Sequence, residues 1–288
     1  MIELTQAPES LFWYWISERH AVYLRRKEGL PKHWTQDWIL QQYKFTNPFR
    51  QNDRGTVWLT ENFIAPHYTD DPALLAFNIC WYRMFNWWGT GERLGWQTDW
   101  DTAKVIKILG DALICGHQVF TGAHIVYSPP GPSKIVAITD VCADLYTMCK
   151  SKASYWQESK ELQETFNDLR MIYCVGGFMA YEMVSDMRHT PLLNTATDIM
   201  TWANPGPGCK RGLQRLGMLW KRDEDAIESM KDLLRHSWNE RGLVNCSLPL
   251  DFPNLEMRDI EHSLCEFDKY CRVKFGEGKP RSKFNGVA

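Results

Sequence analysis

The stretch DPALLAFNICWYRMFNWW, residues 71–88, constrains the fold more than any other part of the chain. Pro72 opens it, and apolar residues then recur on nearly every side at helical spacing. A helix without a polar face belongs at the centre of a structure. The rest of the chain supplies helices to surround it. ESLFWYWISERHAVYLRRKEG (9–29) places Phe12, Ile16, His20, Tyr23 and Leu24 on one side and charges on the other, and Gly29-Leu30-Pro31 stops it. A second helix is expected from Thr35 to near Phe45. Asp101 is the expected cap of WDTAKVIKILGDALIC (100–115). Helical spacing resumes over 138–150, 155–170, 178–187, 211–220, 225–239 and 254–273. Only VFTGAHIVYSPPGPSKIVAIT (119–139) alternates β-branched and aromatic residues around a Pro/Gly turn, which allows at most a short β-hairpin. The fold class is therefore mainly α. The 288 residues read as one helical domain that allows two lobes, about 1–135 and 136–275. A loose basic tail is expected over 274–288.

Composition removes several classes of function. The formal net charge of -2 gives no global electrostatic case for nucleic acid, so any DNA contact needs a local patch. The nine cysteines are odd in number and contain no C-x-x-C pair, which argues against a zinc site or a disulfide framework. MIELTQAPESLFWYW lacks a basic start and a cleavage-like site, which fits a reduced, cytosolic setting. No apolar run is long enough to span a membrane. The 14 tryptophans leave two readings open: an aromatic core, or a surface on which bases stack.

Two stretches carry candidate chemistry. Near the end of the second helix, Asn47, Arg50, Asn52, Asp53 and Arg54 crowd together, more hydrogen-bonding groups than a surface turn needs. They are either a buried network that pins the turn or a site for an anion and a base edge. The second stretch is MIYCVGGFMAYEMVSD (171–186), an apolar segment entering a Val175-Gly176-Gly177 turn with a helix leaving it. Such a turn puts backbone N–H groups at a helix N-terminus. Asp198 follows about twenty residues later, then NPGPGCKRGL (204–213), where Gly206 and Gly208 lead into Lys210 and Arg211.

A hairpin with a Val-Gly core, Ala on the exit helix and a later Asp resembles the helix-hairpin-helix DNA glycosylase superfamily. Cys174 stands where the first hairpin glycine is usual, and Phe178 where lyase-type members carry lysine. A closer similarity spans most of the chain. FWYWISERHAVYLRR, LPKHWTQDWILQQYKFTNPFRQNDR, VFTGAHIV, VGGFMAYEMVSD, NPGPGCKRGL and SLCEFDKYCR together resemble the phage α-glutamyl/putrescinyl thymine pyrophosphorylases, also called amino acid:DNA transferases. The first two blocks are also similar to the helical domain of phage 5-hydroxymethyluracil DNA kinases. These residues contain no G-x-x-x-x-G-K-[ST].

The resemblance implies a glycosylase-like helical enzyme acting in the cytoplasm of an infected bacterial host. Its substrate would be double-stranded DNA carrying 5-pyrophosphoryloxymethyluracil, made by a 5-hydroxymethyluracil DNA kinase. Glycine or another amine would displace pyrophosphate from the C5 methylene. No cofactor is required for this, and Mg2+ beside the pyrophosphate is compatible with it. Arg50 and Arg54 would clamp pyrophosphate, Asn47 would read the pyrimidine edge and Asp53 would orient an arginine. Asp198, Glu182 or Asp186 would take the amine proton, Asp198 first; its other reading is a helix cap. Lys210, Arg211 or Lys269 would hold an amino-acid carboxylate. Val175, Gly176, Gly177, Gly206 and Gly208 would present amides to DNA phosphates. Cys174 and Cys209 are candidates for addition at C6 of the ring, or small buried residues. A glycosylase using Asp198 and a non-catalytic DNA-binding module remain as alternatives.

Overall fold

The computed structural model describes residues 8–122, 126–128, 130–239, 248–280 and 283–284. In chain order its α-helices are α1 (Pro8–Lys27), α2 (Trp38–Gln42), α3 (Arg54–Leu59), α4 (Pro72–Phe85), α5 (Trp88–Leu94), α6 (Thr102–Ile114), α7 (Lys134–Ser159), α8 (Leu162–Leu169), α9 (Gly177–Met187), α10 (Pro207–Arg215), α11 (Asp223–Asn239) and α12 (Met257–Lys274). No strand occurs among the described residues; one isolated antiparallel bridge joins Tyr43 and Lys283. The fold is mainly α. Of the expected hairpin region, residues 123–125 and 129 lie outside the described residues, and from Lys134 onward the chain is helical. Contacts divide the chain into two compact units, Met1–Asp53 with Ile199–Ala288, and Arg54–Asp198. A cut near residue 135 falls inside the second of these.

The second unit is built on α4. Asp71 accepts a hydrogen bond from the Ala73 amide at 2.7 Å, Pro72 fills the first turn, and Leu75 through Phe85 are all buried. Asn78 and Arg83 are the buried polar or charged residues of that helix, and Asn78 is satisfied within its own surroundings. Its Nδ2 donates to the Leu74 and Gln97 carbonyls, and its Oδ1 accepts from Trp81 Nε1 and the Gln97 amide. Asn86, in the left-handed region at φ 47°, ends the helix. The long helix α7 packs along α4, and α9 adds a further contact. Ser133 caps α7, which continues without a break to Lys160, at φ 53°. Two helices, 138–150 and 155–170, were expected there. Lys150-Ser151-Lys152-Ala153 contains no helix breaker, and the turn comes at Lys160 instead.

The segment 54–64 shows no regular apolar period, yet it forms α3 and one π-helical turn, Thr60–Ile64. Ring contacts hold it in place: Trp58 stacks on Tyr82 at 5.0 Å, with planes 15° apart. Gly91 of α5 lies against the other atoms of that indole, where a Cβ would sit 2.2 Å from the ring.

In the first unit, α1 is buried on more than one side, with Phe12, Trp13, Trp15 and Ile16 fully covered. The large tryptophans Trp13, Trp15, Trp81 and Trp156 are core residues in their respective units. Helix α2 starts at Trp38 under an Asp37 cap rather than at Thr35, because Asp37 Oδ1 accepts from the Ile39 and Leu40 amides. Helix α10 lies close on α12. A Cβ on Gly208 would meet Cys265 Sγ at 2.2 Å, and one on Gly212 would meet the Leu264 carbonyl oxygen at 2.3 Å. Two glycines four residues apart thus clear the helix–helix contact. The expected loose tail begins inside α12, and the Phe284 amide donates to the Gln42 carbonyl at 2.9 Å. Residues 281–282 and 285–288 lie outside the described residues.

Candidate functional site

The turn after α2 is organised by one carboxylate. Asp53 Oδ1 accepts from the Asn47 backbone N–H and from Asn47 Nδ2, each at 2.9 Å. Asn47 Nδ2 also donates to the Asn52 carbonyl at 3.0 Å. Arg50–Asn52 forms a single 3-10 turn, which brings Arg50 Nε to 3.2 Å from Asp53 Oδ2. Asp53 therefore orients both Asn47 and Arg50. Asn47 is buried, at 6% exposure, and its Oδ1 has no hydrogen-bond partner among the described residues. A buried carbonyl oxygen without a donor costs about 1–3 kcal/mol. It and Asp53 Oδ2 are the buried acceptors of this turn that no hydrogen-bond donor reaches among the described residues.

Arg19 of α1 packs beside the turn. Its Nε and Nη2 donate to the Phe45 carbonyl at 3.3 and 3.1 Å, while its Nη1 is buried with no hydrogen-bond partner among the described residues. Burial lowers the Arg19 pKa to about 10, with Asp53 partly opposing the shift, so the group stays charged at neutral pH. This corrects the division of α1 into an apolar and a charged side. Arg19 falls three residues after Ile16 and four after Trp15, on the buried face, and that spacing was the signal for it. His20 is buried too, with its ring 5.0 Å from Phe49 and 5.2 Å from Phe252. Burial first, and then Arg19, lower its pKa, which favours neutral imidazole.

Helix α12 closes the other side. Glu266 Oε2 accepts from the Thr46 amide at 3.0 Å and pairs with Lys269 Nζ at 2.6 Å. Lys269 also sits over the Phe45 ring, 4.7 Å from its centre. Tyr270 donates to Asp37 Oδ2 at 2.7 Å. The first unit thus brings together Asn47, Arg50, Asp53 and Lys269 from the sequence reading, and adds Arg19, His20 and Glu266. It gathers an acceptor, a buried donor, cations and carboxylates.

The other expected residues have structural partners. Asp186 takes Nε and Nη2 of Arg83, a residue only 3% exposed, and Glu182 lies 3.7 Å from Arg83 Nη1. Arg83 also donates to Thr56 Oγ1 and Asn86 Oδ1. Burial works against the Arg83 charge, but contact and hydrogen bonding with Asp186 hold its pKa above the usual arginine range. Asp198 shows the capping arrangement: its two oxygens accept from the Leu162 and Gln163 amides at 2.8 and 2.9 Å, at the start of α8. The base that a glycosylase reading needs is thus engaged by that helix. Arg54 begins α3, in the second unit.

Val175, Gly176 and Gly177 do form the turn between α8 and α9. The Val175 amide donates to the Ile172 carbonyl at 3.0 Å, Gly176 is the N-cap, and Cys174 adopts φ 69°. Met171, Tyr173 and Phe178 are exposed around this turn. Gly206 is the N-cap of α10, whereas Gly208 serves the contact with α12. Lys210 pairs with Asp223 and lies over Trp220, and Arg211 pairs with Asp268 at 2.9 Å. Burial pushes the Cys209 thiol well up, and the Cys174 thiol is raised for the same cause. Neither favours a thiolate. Among the described residues no group of three or more His, Cys, Asp or Glu is set to hold a metal, and no helix is long and apolar enough to cross a membrane.

Comparison with known proteins places this chain in a family. A family model described as the helical domain of 5-hmdU DNA kinase matches residues 8–280. The chain belongs to that family. The 5-hmdU DNA kinase of Bacillus phage SP10 is 27% identical over 302 residues, which take in 93% of this chain and 46% of that protein. The chain therefore spans just under half the length of that relative. No solved structure matches. The similarity to the kinase helical domain goes beyond the two blocks that end at Arg54 and extends over nearly the whole chain.

Proposed function

We propose that this protein is a phage DNA-hypermodifying transferase. It takes up a nucleotide of duplex DNA bearing 5-pyrophosphoryloxymethyluracil and joins an amine, glycine first, to the C5 methylene. The observation that carries the reading is the buried, unmatched Asn47 Oδ1 beside an arginine held on Asp53. A uracil ring offers an N3–H donor to that oxygen, and its carbonyls accept from the Arg19 Nη1 that has no hydrogen-bond partner among the described residues. Arg50 and Lys269 set positive charge beside the turn, where a pyrophosphate leaving group gathers negative charge. Membership of the 5-hmdU kinase helical-domain family supports the uracil derivative as the base concerned.

In the reaction the amine nitrogen bonds to the methylene carbon as the carbon–oxygen bond to pyrophosphate breaks. The nitrogen loses a proton in that step. Glu266 of α12 is a suitable acceptor beside the turn, because its Oε2 holds Thr46 and Lys269 while its Oε1 makes no hydrogen bond among the described residues. Arg50 screens the departing charge, and the base stays attached to its sugar. The base would reach the turn by leaving the stack.

The family relation favours a second reading, a helical module that brings DNA to a kinase. Reconstitution separates the two. Hydroxymethyluracil DNA is treated with a 5-hmdU kinase, incubated with this protein and single amines, digested to nucleosides and weighed by mass spectrometry. A nucleoside carrying the amine, with pyrophosphate released, supports the transferase. DNA binding with unchanged nucleoside for every amine supports the module.

A further inference from the structure

We propose that Arg211 and Arg272 form a binding site for backbone phosphate of duplex DNA on the α10–α12 face. It rests on the reading that this protein works on DNA. Asp268 of α12 is fully buried, at 0% exposure. Three arginines reach it through Nε: Arg211 at 2.9 Å, Arg215 at 3.2 Å and Arg272 at 3.4 Å. Arg215 is then completed by Glu277, which takes both of its Nη groups. Arg211 and Arg272 are not completed. Their side chains are 52% and 41% exposed; among the described residues Arg211 donates from Nε alone, and Arg272 Nε lies 3.4 Å from Asp268 without a hydrogen bond.

The result is one guanidinium held through Nε and a second ion-paired with the same carboxylate, with no Nη hydrogen bond in either among the described residues. Held this way, each loses little freedom when it meets an oxyanion. Three arginines against Asp268 and Glu277 leave one positive charge over, which matches one phosphodiester. A purely structural clamp accounts for less. Gly208 and Gly212 already set the approach of α10 to α12, and Arg215 alone is paired on both its Nε and Nη sides. Asp268 lies about 200° around α12 from Glu266, so the patch is on a different face from the 44–53 turn. A groove-bound duplex touches a protein at many phosphates, and such contacts fix register without reading sequence.

The test is binding of a short fluorescein-labelled duplex of unmodified DNA to the purified chain, measured by anisotropy over a range of salt. Arg211→Gln/Arg272→Gln is compared with wild type and with Arg222→Gln/Arg235→Gln, which removes two exposed arginines paired elsewhere. The patch variant is expected to lower the slope of log K against log salt by about 1–2 and to weaken binding roughly 10-fold at physiological salt. The control is expected to track wild type. Thermal melting is recorded for each; if the double variant does not fold, Arg272→Gln carries the test with a slope change of about 1. An unchanged slope, or an equal loss in the control, overturns the patch and leaves the DNA reading standing. Absence of DNA binding by the wild type overturns both. Displacement of the duplex by inorganic pyrophosphate through the same two arginines would make this a free-anion site and overturn the DNA assignment.

Discussion

Replacing Asp186 by alanine separates a structural carboxylate from a catalytic one. Arg83 is 3% exposed, and Asp186 is 3% exposed. Asp186 accepts two charge-assisted hydrogen bonds from Arg83, one of them at 2.7 Å. Without it the guanidinium keeps Thr56 at 2.8 Å, Asn86 at 2.9 Å and the more distant Glu182 at 3.7 Å. Breaking a buried pair by removing one partner costs about 3–5 kcal/mol, because the remaining charge stays out of water. Asp186→Ala is therefore expected to lose about 3–5 kcal/mol in urea unfolding followed by circular dichroism. Glu182→Gln, which weakens the 3.7 Å pair with Arg83 Nη1 while keeping the side-chain shape, is expected to lose about 1 kcal/mol. A loss below about 1 kcal/mol for Asp186→Ala, together with a collapse of turnover, would refute the structural assignment.

Gly208→Ala and Gly212→Ala are expected to destabilise the chain by about 1–3 kcal/mol or more through overpacking against α12, whereas Gly176→Ala, with open space around it, stays close to wild type in thermal melting. Asp198→Ala is expected to cost about 1–2 kcal/mol as a lost helix cap, read by urea unfolding, with Asp198→Asn milder. Asp259 titrates in the opposite sense to a surface carboxylate. Burial pushes its pKa from 3.8 up to about 6, with Arg258 and the Glu256 amide partly opposing. Its ionised form is thus the costly one in the fold, a penalty present above about pH 6 and relieved as pH falls toward 4. Asp259→Asn should gain on wild type by on the order of 2 kcal/mol between pH 4 and pH 7.5, measured as the difference between their unfolding free energies at each pH.

Local signals decided which parts of this fold were readable. Asp71-Pro72 and Asp101 sit immediately before apolar periodic segments, so the starts of α4 and α6 follow from neighbouring residues alone. The 54–64 segment did not, because its helix is held by rings from Tyr82 and by the missing side chain of Gly91. The same division applies to the site. Asn47, Arg50 and Asp53 lie within seven residues, and their grouping was visible as a cluster of polar types. The partner that occupies Asp186 is Arg83, 103 positions away, so no local pattern discloses that pair. Asp198 caps a helix that begins 36 residues earlier. Arg19 was hidden by its charge, although its position after Trp15 and Ile16 put it on the buried side of α1.

The central claim is that chemistry belongs to the 44–53 turn. The direct measurement is the initial rate of aminated nucleoside formation on pyrophosphorylated DNA for wild type, Arg50→Gln, Asn47→Ala and Asp198→Asn, each verified as folded by circular dichroism. The account predicts losses of at least about 100-fold for Arg50→Gln and Asn47→Ala, on the scale of a lost electrostatic stabiliser, with Asp198→Asn within a few-fold of wild type. Full activity in both turn variants with loss in Asp198→Asn would contradict it.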